Sequence, residues 1–210
     1  MKSVLIVLSG PSGAGKGTVS RVLLRQLPDL VLSISATTRL PREGELDRVN
    51  YYFISRAKFS EMIARDEFLE WASVYDHYYG TPRFPVEEAL ARGKDVLLEI
   101  DVQGGLQVKQ KFPEAVLIFL LPPSRDELKT RLIKRGSESL EEVEKRLRWA
   151  LTEMQSLSFY DYVVVNDQVA QAVDQIRSII VAEKCRTVHY KDNYTFDFST
   201  GDGDESTYSG

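Results

Sequence analysis

Cysteine occurs once, at Cys185, so no disulfide can form within the chain and no thiol pair stands ready for zinc. A reducing cytosol is the compartment this implies. Histidine occurs twice, and neither His77 nor His189 stands at a spacing that serves a metal site or a catalytic triad. Long apolar runs are missing too: the longest, 115–121, is far too short to cross a bilayer. The first eight residues superficially resemble an export signal, but their apolar stretch stops after five, and a glycine loop follows instead of a cleavage site. Positive charge is not in excess either. Against 27 Lys and Arg stand 31 Asp and Glu, a formal net charge of -4, which removes the global basic footprint of a dedicated nucleic-acid binder. No nucleic acid, no membrane and a cytoplasmic location are therefore expected.

What remains is ordinary globular material, 43% hydrophobic and 28% charged with 13 Gly and 8 Pro, which excludes collagen-like and wholly disordered chains. A chain of 210 residues suits one core with small lobes inserted into it, and buries roughly 70% of its unfolded surface without staples. Short apolar runs alternate with helical periodicity, the pattern of an α/β fold whose parallel sheet is wound by helical crossovers. Strands are predicted at 4–8, 31–35, 96–101, 116–121 and 162–166. None shows polar alternation, so all five are expected in central positions, buried on both faces. Helices are marked by Val19, Val22, Leu23 and Leu27; by Val86, Ala89 and Leu90; by Leu128, Leu132 and Ile133; and by Val169, Ala172, Val173, Ile176, Ile180 and Glu183.

Two stretches break the alternation. Residues 36–84 are too long for a simple crossover and hold five of the ten tyrosines and six arginines, which suggests an inserted lobe with a polar task. Residues 131–159 gather Arg131, Lys134, Arg135, Lys145, Arg146 and Arg148 around Gly136, then run as an amphipathic helix through Leu140, Val143, Leu147, Leu151 and Met154. A glycine beside a basic cluster suggests a mobile flap. The expected organisation is one domain over 1–190, its core formed by 1–35, 85–130 and 160–190, its lobe by 36–84 and its lid by about 131–159. Residues 191–210, with five acids and three glycines, are expected to be a poorly ordered acidic tail.

The strongest local signal is Gly10-Pro11-Ser12-Gly13-Ala14-Gly15-Lys16-Gly17-Thr18, directly after a predicted strand and before a predicted helix. Successive backbone N–H groups at a helix N-terminus form an anion cradle, and Lys16 supplies a cation for the β and γ phosphates of a nucleotide. The bland alternative is a glycine-rich turn with a surface lysine. Gly17 stands where the strict pattern wants a hydroxyl for magnesium, and Thr18 follows one residue late.

Inside the insertion stand Ser35-Ala36-Thr37-Thr38-Arg39-Leu40-Pro41-Arg42-Glu43-Gly44-Glu45, then Asn50-Tyr51-Tyr52-Phe53, Phe68-Leu69-Glu70-Trp71 and Tyr78-Tyr79-Gly80-Thr81. Arg39 and Arg42 can present two guanidinium forks to one monophosphate, with hydroxyl donors from Tyr51 and Tyr79. They can equally be solvated surface arginines. A carboxylate such as Glu70 with a hydroxyl from Ser35 or Thr81 complements the adjacent N1 and N2 donors of guanine, a pair adenine lacks. Trp71 reads as lobe core more readily than as a stacking platform. With Glu99-Ile100-Asp101-Val102-Gln103-Gly104, these motifs resemble the guanylate kinase family from about residue 4 to residue 184.

The resemblance implies a five-stranded P-loop-type parallel sheet with an inserted nucleotide-monophosphate lobe and an arginine-rich lid. It implies ATP and GMP as substrates, with Mg2+ as cofactor. Gly10 to Thr18, together with Asn166 and Asp167, would bind ATP. Ser35, Glu70, Thr81 and Asp101 would contact the guanine, and Arg39, Arg42, Tyr51 and Tyr79 the GMP phosphate. Lys16, Arg39, Arg131, Arg135 and Arg146 would neutralise the transferring group. Asn166 and Asp167 can instead cap the following helix, and Arg131 and Arg135, four apart, can merely solubilise theirs. Asp101 is expected to end the third strand with Glu99 on the same face, organising a magnesium held mainly through phosphates and water, with Thr18 a further candidate. For Glu99 a structural ion pair is the competing reading. Two rivals share the scaffold: a kinase acting on a sugar phosphate such as ribose 1,5-bisphosphate, and a phosphopeptide-binding module without catalysis.

Overall fold

The computed structural model describes residues 2–74, 76–134 and 140–189. In chain order the elements are β1 (Leu5–Ser9), α1 (Lys16–Gln26), β2 (Leu30–Leu32), β3 (Ala36–Thr37), β4 (Tyr52–Phe53), α2 (Arg56–Ala64), β5 (Phe68–Val74), β6 (His77–Pro82), α3 (Arg83–Ala91), β7 (Asp95–Glu99), α4 (Val102–Lys111), β8 (Val116–Leu121), α5 (Arg125–Lys134), α6 (Leu140–Met154), β9 (Tyr162–Val165) and α7 (Val169–Lys184). Five strands form one parallel sheet in the order β2-β7-β1-β8-β9.

Alternation along β1 sorts its side chains between two buried layers. Ile6 and Leu8 join Leu97, Ile118 and Leu120 under α1 and α7, where Val19, Leu23, Val173 and Ile176 close the layer. Leu5 and Val7 join Val96, Leu98 and Leu117 under α3 and α4, against Val86 and Val108. Each such fully buried side chain contributes about 1.5–3 kcal/mol over its exposed state. The apolar runs of β1, β7 and β8 are thus explained by burial on both faces.

The outer two strands depart from the expectation. β2 and β9 are sheet edges, and Leu32, Val163 and Val165 are exposed. β-branched composition alone does not separate an edge from a centre, because both suit extended backbone. The strands also end earlier than their apolar runs. Ser35 falls between β2 and β3, Asn166 lies just past β9, and Asp101 is no longer in a strand but caps α4, accepting a 2.7 Å hydrogen bond from Gly104 N. Helix α4, with its pair of glycines, and helix α2 carried no strong sequence signal.

Within 36–84 a second sheet runs β4-β3-β6-β5, parallel between β3 and β4 and antiparallel elsewhere. Phe59 stacks on Phe68 at 4.4 Å and packs with Ala36 as a core of its own. The β5–β6 register shifts between Phe68 and Glu70, and Leu69 enters the main core while Glu70 stays opposite Thr81. Trp71 is not core: it is partly exposed, with its edge against Tyr78, while its backbone exchanges hydrogen bonds with the Gln107 amide. α5 and α6 pack through Leu128, Leu132, Val143, Leu147 and Ala150, whereas Leu151, placed in the apolar stripe by periodicity, is exposed. Gly136, Arg135 and the 191–210 tail lie outside the described residues. Among the described residues no helix is long and apolar enough to cross a membrane.

Candidate active site

Gly10 to Lys16 turn from the carboxyl end of β1 into the N-terminus of α1. Gly15 takes the N-cap position with φ 96°, a left-handed conformation, and a Cβ there would run into Asn166 Nδ2. Lys16 Nζ donates to the carbonyl of Gly10, and to that of Pro11 at 3.4 Å, so the ammonium sits over the loop it serves. Thr18 is exposed.

Asn166 does not cap α7, whose N-cap is Gln168 without a side-chain cap bond. Its side chain crosses instead to the phosphate loop, Nδ2 donating 2.7 Å to Ala14 O in a buried setting, while Asp167 is exposed. Arg131 reaches the same carbonyl at 3.5 Å and Asn166 O at 3.1 Å, with Nε on Glu127 at 2.9 Å. Arg131 is thus built into the site rather than displayed on a helix face. Arg146 is partly buried on α6. Removing the Asn166 amide leaves the Ala14 carbonyl only the longer 3.5 Å bond from Arg131, a loss of about 0.5–1.5 kcal/mol. Asn166→Ala is expected to lower the melting temperature and to weaken ATP binding about tenfold, with GMP binding unchanged. Calorimetric titration of each nucleotide checks this, and equal losses for both would contradict it.

On the second sheet, Arg39 lies beneath two aromatic rings, its Cζ 5.5 Å from the Tyr51 centroid and 5.7 Å from that of Phe53. Tyr79 meets Tyr51 edge-on at 6.0 Å. These three predicted phosphate ligands therefore form one cluster, while Arg42, three residues on, is exposed. The residue that sequence reasoning passed over is Glu45. It takes both Arg39 Nη groups, at 2.8 and 3.0 Å, and the Arg42 backbone N–H at 2.7 Å. The signal was an acid six residues after an arginine across a Pro and Gly turn.

Glu70 is buried, and Thr81 Oγ1 donates 2.6 Å to its Oε1. Burial, with a smaller push from the Asp101 charge, raises this carboxyl from the ordinary 4.5 to about 7, against the Thr81 bonds that lower it. Its other oxygen lies against α4: a Cβ on Gly104 would stand 2.9 Å from Glu70 Oε2 and 3.4 Å from Asp101 Oδ1. The two acids assigned to the base thus meet at the helix N-terminus, while Ser35 is partly buried and its carbonyl accepts from Tyr52 N.

Between the loop and α4 opens a cleft of about 300 Å³, lined by Gly10 to Gly13, Gly15 to Gly17, Glu99, Ile100, Asp101 and Glu153. Glu99 forms no ion pair among the described residues, and a Cβ on Gly17 would lie 3.4 Å from its Oε1. Glu153, from α6, is a wall residue that the sequence did not flag. Burial raises its pKa, while Lys16 nearby pulls the other way.

One end of a parallel sheet therefore carries a glycine-rich loop of the phosphate-binding pattern, and a small second sheet carries Arg39 clustered with Tyr51, Phe53 and Tyr79. This is the build of a nucleoside monophosphate kinase, an enzyme that must bring two anions together. The chain belongs to the guanylate kinase family, whose family model, "Guanylate kinase", matches residues 2–183. It is 59% identical over 183 residues to guanylate kinase of Desulfitobacterium hafniense, covering 87% of this chain and 92% of the relative. It is 58% identical over 193 residues to that of Caldanaerobacter subterraneus subsp. tengcongensis, covering 92% and 94%. In three dimensions it is similar to the crystal structure of guanylate kinase from Anaplasma phagocytophilum, with TM-score 0.73, 34% identity, and 89% of this chain and 88% of that chain covered.

Proposed function

We propose that the chain transfers the γ-phosphoryl group of ATP to GMP, giving ADP and GDP by direct in-line displacement in the cytoplasm. The observation that carries this reading is Glu70, a buried carboxylate with one oxygen on Thr81 and the other beside the α4 N-terminus. Ionised, it complements the N1 and N2 donors of guanine; adenine would leave it unpaired at a cost that rejects the base. Ser35 and Asp101 complete the base side. Arg39, Arg42, Tyr51 and Tyr79 hold the acceptor phosphate. Gly10 to Thr18 cradle the donor, with Lys16 on its phosphates and Asn166 and Asp167 on its adenine side. A phosphate monoester is largely dianionic at pH 7, so repulsion rather than proton removal is the barrier, and Arg131, Arg135 and Arg146 counter it when the lid closes.

Hard oxygen donors line the cleft, and no side chain at Gly17 intrudes on Glu99, which fits a magnesium ion brought in with ATP. Glu99 and Asp101, through water, with Thr18 as a further candidate, would hold that ion, which would supply positive charge against the donor phosphates. Arg39 and Lys16 do the remaining neutralisation from the protein side.

Turnover of MgATP is measured with GMP, AMP, dTMP and ribose 1,5-bisphosphate as separate acceptors. Fast ADP release with GMP alone is the expected result. Activity with the sugar phosphate alone, or silence with all four in folded protein, would overturn it. GMP needs the ionised Glu70, whose pKa lies at about 7. The kcat/KM for GMP is therefore expected to rise about tenfold per pH unit below 7 and level off above it. A profile that stays flat from pH 5.5 to 8 would contradict this assignment.

A further inference from the structure

The guanidinium of Arg39 has five N–H groups in three directions, and this chain spends one whole side of it internally. Nη1 donates to Glu45 Oε2 and to Leu40 O at 2.7 Å, and Nη2 donates to Glu45 Oε1. The pair is sheltered, with side-chain exposures of 12% for Arg39 and 20% for Glu45. Nε, by contrast, is buried with no hydrogen-bond partner. The edge formed by Nε and the outer N–H of Nη2 is itself a fork; the guanidinium carbon lies 5.5 and 5.7 Å from the Tyr51 and Phe53 centroids, and the Tyr79 hydroxyl interacts with the same guanidinium. A buried N–H without an acceptor costs free energy unless a ligand supplies one. Glu45 also accepts from Arg42 N and returns its own N–H to Arg42 O at 3.0 Å, closing the turn that carries the second arginine.

We propose that Glu45 is the positioning residue of the acceptor-phosphate site: it occupies the Nη side of Arg39 and turns the Nε edge to the phosphate of GMP. The proposal rests on GMP being the acceptor. Glu45 touches no substrate; it acts by holding Arg39 extended under the aromatic rings, so that the fork is set before the phosphate arrives. Its own carboxyl, held down to about 2 by the Arg39 fork and the Arg42 N–H, remains ionised across the working range. Supporting partners of this kind typically change affinity by about 10–100-fold when removed.

The test measures affinity for GMP and for guanosine, which lacks the phosphate, in the wild-type chain, Glu45→Gln and Glu45→Ala, with ADP affinity and melting temperature recorded alongside. Glu45→Ala is expected to weaken GMP about 10–100-fold while guanosine and ADP bind as before. Glu45→Gln, which keeps an acceptor for Arg42 N and the same volume, is expected to lose about tenfold for GMP alone. Unchanged or tighter GMP binding in both variants would overturn the proposal, since Glu45 would then be idle or a competitor of the phosphate. Equal losses for GMP and guanosine would also overturn it, by making Glu45 a general support of the lobe. Failure of the wild-type chain to bind GMP would take the proposed function down with it, whereas wild-type binding with insensitive variants removes only the role of Glu45.

Discussion

Replacing Lys16 by methionine is expected to lower kcat by about 10²–10³-fold, with a much smaller change in the KM for GMP. The substitution keeps the unbranched stem and removes the ammonium seated on the glycine-rich loop, now bound to the Gly10 and Pro11 carbonyls. Those carbonyls lie beside backbone N–H groups that still cradle phosphate, so ATP binds, but charge developing between donor and acceptor is no longer matched. Single-turnover kinetics separates the two effects. Loss that falls wholly on ATP affinity, with the chemical step intact, would show that Lys16 only anchors the nucleotide.

Glu70→Gln is expected to move activity and stability in opposite directions. An amide offers guanine a donor where it needs an acceptor, so kcat/KM for GMP falls roughly 10²–10⁴-fold. In the ligand-free protein the same change is a gain. The native carboxyl, raised to about 7, keeps its proton longer than the unfolded chain does. That preference favours the fold fully below about pH 4.5 and is lost as the pH rises through about 7. At pH 8 the wild-type chain thus bears a charge-burial cost of about 3 kcal/mol that glutamine avoids while keeping the Thr81 hydrogen bond. Its melting temperature at pH 8 is expected to exceed that of wild type by roughly 5–10 °C, with the gap gone at pH 5. A variant no more stable at pH 8, or equally stabilised at both pH values, would show that Glu70 carries no such cost.

Much of the core was legible because one physical pattern decides it. A run such as that of β1 is apolar at every position only where both faces are covered, and the glycines after it mark a turn into a helix. The edges were not legible: Val163 and Val165 read like Leu97 and Leu98, because valine suits extended backbone whether or not a helix covers it. α4 escaped because Gly104 and Gly105 suppress helix propensity, yet Tyr160 Oη and Glu70 press against those two positions and leave no room for a Cβ. In the site, residue types suggested where to look: an arginine pair, a lone acid beside aromatic residues, a lysine in a glycine loop. What they could not announce was partnership across sequence distance. That Asn166 would reach Ala14, and that Glu153 would line the cleft beside the glycine-rich loop, depends on packing between segments about 140–150 residues apart.

The strand order sets a timetable for synthesis. Leu5 pairs with Val96, and Ile6 with Val116, so β1 has no neighbour until about 90–110 further residues have been made. At a synthesis rate of about 5–20 residues per second, this apolar strand waits on the order of 5–20 seconds without a partner. The small sheet, whose strands all fall between Ala36 and Pro82, has all its strands made before Val96 is reached. The 36–84 insertion can therefore take shape on the ribosome while the main sheet, centred on β1, closes only when β8 and β9 emerge.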